Sequence, residues 1–162
     1  MSAYPYCLCT TVAEKALEAL LENPGRGSYR DNHPWLIGLE MVEVAKAADQ
    51  QVPLLVASGD PLEFSYWVLI ERIDVVELHR ATWETSIDFG ILQPINPIWT
   101  SLDSVLLKPG DDQLRREQLE PIKMHRQALD AHLIHPYAIC ETPGFLLSDR
   151  EPIEEEQDSL KG

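Results

Sequence analysis

The sequence predicts an α+β domain: a mostly antiparallel sheet, curved or closed into a small barrel, in the middle of the chain, covered by an N-terminal helix and a C-terminal helical region. Three observations carry this expectation. β-Branched and aromatic residues dominate from Val52 to Ile91, helical periodicity is strongest towards the two ends, and the regular strand–helix alternation of a parallel sheet is missing.

In chain order, the apolar run Tyr4 to Cys9 reads as a short strand. In the following TTVAEKALEALLENPG, Thr11 and Glu14 fit a capping box and Ala13, Leu17, Leu20 and Leu21 recur at helical spacing, so a helix is expected, stopped by Pro24 and Gly25. GRGSYRDNHP reads as a polar loop, and Trp35 to Ala48 as a helix. VPLLVAS is a strand closed by the turn Gly59-Asp60-Pro61. In EFSYWVLIERIDVVEL, Phe64, Tyr66, Val68 and Ile70 alternate with Trp67, Leu69, Glu71 and Ile73, as in a central strand apolar on both faces. TWETSIDFGIL alternates Trp83, Ile87, Phe89 and Ile91 with polar residues and is expected to pair with its predecessor. The prolines of QPINPIW argue for a loop returning Trp99 to the core.

A short strand is expected at Val105 to Leu107. The second helical region starts at Asp111 or Asp112, breaks at Pro121, resumes through Met124, Ala128, Leu129 and Leu133, and ends before Pro136. YAIC forms the last strand. Residues 1–147 are expected to make one globular domain, and residues 148–162 an acidic, mobile tail.

The chain of 162 residues carries a net charge of −14, of which −10 lies in residues 1–147. Such a charge repels phosphate backbones, so nucleic acid is disfavoured and a basic partner favoured. Three cysteines, an odd number without regular spacing, point to reduced thiols and a cytoplasmic protein, and no stretch approaches a membrane span.

YPYCLC (4–9) and HPYAIC (135–140) echo one another and hold every cysteine. Cys7 and Cys9 share a strand face, and with Cys140 and a histidine, His135 or His33, they form a candidate metal set, although thiols of this kind are ordinarily buried packing residues. His125, His132 and His135 fall on one predicted helix without an HExxH pattern, where the helix dipole accounts for them. Arg115, Arg116, Lys123 and Arg126 are interleaved with acids, as on a solvated face. His33, Trp35 and Trp99 are the candidate binding residues: aromatics at the mouth of a barrel could hold a base or a cation. Phosphate-loop, dinucleotide, nucleophile-elbow and paired CxxC motifs are absent from the sequence, and no cofactor is implied.

The expectation is therefore a non-catalytic interaction module whose acidic surface engages a basic protein, as an inhibitor or neutraliser would. A ligand- or nucleobase-binding barrel is the alternative, and a metal-dependent enzyme using Cys and His the second alternative.

Overall fold

The computed structural model describes residues 2–22, 27–120 and 125–147. It comprises β1 (Ser2–Ala3), β2 (Tyr6–Thr11), α1 (Glu14–Glu22), β3 (Gly27–Asp31), α2 (Leu36–Ala47), β4 (Gln50–Gln51), β5 (Pro53–Ser58), β6 (Glu63–His79), β7 (Thr82–Phe89), β8 (Gln93–Pro94), α3 (Asp111–Leu119), β9 (Tyr137–Glu141) and α4 (Gly144–Leu147), with single 3-10 turns at Pro97–Trp99, Leu102–Ser104 and Ala131–Leu133. The main sheet runs β3-β7-β6-β5-β2-β9, with β8 also on β6, and β1 pairs with β4 apart from it. Within the main sheet only β2 and β5 are parallel; every other neighbouring pair is antiparallel. The fold is thus mixed α and β around a large, mostly antiparallel sheet. The sheet is open, with β3 and β9 at different ends, so the barrel form of the expectation is corrected.

The seventeen-residue β6 organises this sheet. Its first half pairs with β5 and its second half with β7. Three extra residues interrupt its alternation, one of them Leu78 beside the turn into β7, where Glu77 faces Trp83 and His79 faces Thr82. Val56 faces Tyr66 while Ala57 faces Phe64, leaving Ser65 as an insert; Ile70 faces Phe89 while Arg72 faces Asp88, leaving Glu71 as a second. Each insert reverses which face the next residue points to. Phe64 therefore packs on one face with Leu55 and Ala57, whereas Val68, Ile70 and Ile73 pack on the other. The single uninterrupted alternation expected for this strand is corrected accordingly. Ser65 remains bonded within the sheet: its hydroxyl lies 2.9 Å from that of Ser58 and donates to the Val56 carbonyl at 3.2 Å.

Each face carries its own core. Leu8, Leu54, Val56, Val68, Ile70, Ile87 and Phe89 pack beneath Leu17 of α1 and Trp35, Val42 and Ala45 at α2. Cys7, Cys9, Leu55, Ala57, Phe64, Ala138 and Cys140 pack beneath Ile95, Leu102, Val105, Leu129 and Leu146. The second cover is mostly irregular chain. After α3 the helix expected to resume towards Leu133 is not formed over the described residues: Leu129 donates to the Val105 carbonyl and Leu106 bridges to Ala128, so this segment lies alongside residues 105–107, which themselves bridge to β9 through Leu107 and Cys140. Its polar backbone is satisfied by sheet-like bonds in place of helical ones. His125, His132 and His135 consequently share no helix.

Two further corrections concern the loops. The segment read as a loop contains β3, an edge strand on β7, and QPINPIW contains the two-residue β8. Pro24, Gly25, Pro121, Lys123, Met124 and the tail lie outside the described residues. No described helix is long and apolar enough to cross a membrane.

Candidate functional site

The first turn of α2 meets the start of β9 across a cleft of about 510 Å³, lined by Pro34, Leu36, Ile37, His135, Pro136, Tyr137 and Ile139. Two tripeptides build it: His33-Pro34-Trp35 and His135-Pro136-Tyr137. They pair like with like. The imidazoles of His33 and His135 meet edge to face at 5.9 Å, and the rings of Trp35 and Tyr137 lie 4.3 Å apart.

Thr85 of β7, fully buried, fixes the first tripeptide by accepting the Trp35 backbone N–H at 3.1 Å while donating to the His33 carbonyl. Asp31, at the end of β3, does the rest. Its carboxylate accepts the Trp35 indole N–H at 2.6 Å and lies 3.1 Å from His33 Nδ1. In a neutral His33 this carboxylate holds the proton on Nδ1 and leaves Nε2 as an acceptor.

The second tripeptide is fixed from below, where the Thr10 hydroxyl donates to the Pro136 carbonyl at 2.9 Å. Tyr137 in turn holds α2. The helix has no side-chain cap of its own, and the phenolic oxygen accepts the Gly38 N–H at 3.0 Å, satisfying an amide that the first helical turn leaves open. Burial pushes the Tyr137 phenol above its ordinary ionisation range, opposed by the amides of Gly38 and Ile37. Packing at position 38 is close: a Cβ there would stand 3.2 Å from Leu8 Cδ1, which would have to give by a few tenths of an ångström.

The sequence-predicted residues are divided by the sheet. His33 meets His135 beside this cleft without lining it, and Trp35 is completely buried behind Tyr137 and offers its ring to the core. Trp99 packs against Phe145 at 5.1 Å, among the residues of the opposite core. Cys7, Cys9 and Cys140 are buried on that opposite face too, away from the cleft that His135 lines. β2 and β9 do pair, with Cys7 directly across from Cys140. Hydrogen bonding of Cys9 to Cys140 and then to Cys7, together with burial, raises the Cys9 thiol well above its ordinary range, which keeps it protonated and a poor nucleophile or ligand. Among the described residues no group of three or more His, Cys, Asp or Glu is placed to hold a metal ion.

Among the basic residues, Arg126 has a structural role. It bonds through Nη2 to Glu117 Oε1 at 2.9 Å and through Nε to Glu141 at 2.7 Å, tying α3 to β9. Those two carboxylates, Glu117 first, raise the guanidinium's affinity for its proton further.

Comparison with protein-family models, with curated proteins and with solved structures returns no match to this chain. The site is therefore read from its own residues. Asp31, Leu36, Ile37 and Tyr137 are not among the residues singled out from sequence; the repeated His-Pro-aromatic tripeptide is the signal that finds Tyr137 and the adjoining Leu36 and Ile37, while Asp31 has no counterpart in the second copy.

Proposed function

We propose that the protein is a non-catalytic interaction module that docks a basic, apolar-bearing segment of another protein along the outer face of α2 and into the adjoining cleft. One observation carries this reading. Leu36, Ile37 and Val44 stand 53%, 58% and 50% exposed on a helix whose inner side is already buried through Gly38, Val42 and Ala45. Large apolar groups gathered on one surface beside a cleft are the mark of a binding face. Glu40 and Glu43, also exposed, lie on the same stretch of helix, and the net charge of −14 supports a basic partner. An inhibitor or neutraliser of a basic protein would have this character. A reducing, cytoplasmic setting belongs to the same reading and is supported by three cysteines that are free and buried.

The test is titration of the protein with a fluorescently labelled helical peptide of leucine, alanine and lysine, and with its glutamate-for-lysine counterpart. The basic peptide binds, its affinity falls as salt is raised, and Ile37→Glu or Leu36→Glu weakens it at least about tenfold without loss of folding, since both side chains are exposed. Binding that is indifferent to both substitutions, or no binding at low salt, overturns the proposal.

A further inference from the structure

We infer that the cleft between the two His-Pro-aromatic tripeptides receives an arginine side chain of the docked segment in preference to lysine; this rests on the docking reading above. The cleft's composition sets the requirement. Pro34, Ile37, Pro136 and Ile139 offer an apolar wall to an aliphatic stem, and His135 and Tyr137 offer planar rings. Hydrogen-bonding capacity is scarce: the Tyr137 oxygen is engaged by Gly38, and Asp31 by Trp35 and His33. His33 Nε2, beside His135 at the edge of the cleft, has no hydrogen-bond partner among the described residues.

A guanidinium suits that combination, because it stacks on aromatic faces, gives up its weak hydration easily and can direct one in-plane N–H to a single acceptor. An ammonium is more strongly hydrated and has no planar face to lay against the rings. The positive end of the α2 dipole opposes any cation here, and it bears hardest on a compact one. Asp31, 15% exposed behind His33, and Glu40, one turn along α2, supply compensating negative charge.

The experiment is an NMR titration of the full chain with three otherwise identical leucine–alanine helical peptides carrying arginine, lysine or citrulline, and separately with inorganic phosphate. The arginine peptide shifts the resonances of His135 and Tyr137 and binds about tenfold more tightly than the lysine peptide, with citrulline weaker than arginine. His33→Ala and His135→Ala, both substitutions of exposed side chains, reduce the arginine preference to about twofold or less. Equal arginine and lysine affinities with α2 resonances still shifting overturn the arginine inference alone. The same holds if phosphate moves the His135 and Tyr137 resonances as strongly as the arginine peptide does. If no peptide perturbs α2, the docking reading falls and this inference falls with it.

Discussion

Replacing Tyr137 by Phe isolates one bond on which the cleft depends. The ring remains free to pack 4.3 Å from Trp35, while the oxygen that accepts the Gly38 N–H at 3.0 Å is lost. Gly38 is buried and α2 has no side-chain cap to substitute for the lost acceptor. An uncompensated buried amide costs about 1–3 kcal/mol, and loss of a helix cap about 0.5–2 kcal/mol. Because the cleft beside Tyr137 is open to solvent, water can partly resolvate the amide, which puts the expected loss at about 1–2 kcal/mol. For a chain of this size that lowers Tm by roughly 2–8 °C. Urea unfolding followed by tryptophan emission and by far-ultraviolet circular dichroism measures it, with an unchanged m-value expected. A Tyr137→Phe protein within about 0.3 kcal/mol of the parent would refute the claim that this hydroxyl holds the start of α2.

Three other outcomes follow from the structure. Arg126→Met leaves the carboxylates of Glu117 and Glu141, 13% and 28% exposed, facing each other without their shared cation; a loss of about 3 kcal/mol in urea unfolding is expected, with Arg126→Lys restoring only part of it. The β6–β7 turn places Arg80 and Ala81 at φ of 31° and 63°, a conformation costly for side chains with a Cβ, so Ala81→Gly is expected to stabilise by about 0.5–1 kcal/mol, read as a raised urea midpoint. Finally, Cys9, Tyr29 and Tyr137 hold their protons more tightly when folded, Cys9 chiefly through Cys140 and the tyrosines chiefly through burial, whereas in the unfolded chain they ionise near 9.0 and 10.0. The stability they contribute is complete below about pH 9 and is lost as pH rises through their folded values, so the urea midpoint should fall steadily above that point and thiol labelling of the native protein should be slow beneath it. A midpoint that rises between about pH 8 and about pH 10.5 would contradict the assignment.

Where one physical signal dominated, the sequence was legible. α1 has apolar spacing after a capping box, and Thr82–Phe89 alternates without interruption because one of its faces is buried from Thr85 to Phe89; α2 was less plain, since Leu39, Met41 and Glu43 also alternate. β6 was recognisable as a strand, but its faces were not, since Ser65 and Glu71 carry no mark of being inserts; that property belongs to the register with β5 and β7. β3 was hidden for a similar reason. Ser28, Tyr29, Arg30 and Asp31 are turn-like in composition, and pairing with β7 makes them a strand. The segment before Pro136 failed in the opposite sense: Ala128, Leu129 and Leu133 have helical spacing, yet the backbone is bound by Val105 and its neighbours instead. At the cleft, His33 is among the candidate binding residues read from the sequence. What it meets could not be read locally, because His135 lies about a hundred residues further along the chain.

The pairing of β2 with β9 joins residues 6–10 to residues 137–141. During synthesis, β2 can gain its parallel neighbour β5 early, but its other edge stays open until almost all of the described chain has been made. The same late event shuts Cys7 and Cys9 away beneath Ala138 and Cys140 and brings Tyr137 to α2. A ribosome-bound fragment ending before residue 137 should therefore show reactive thiols and a frayed α2, both disappearing together when the final strand arrives.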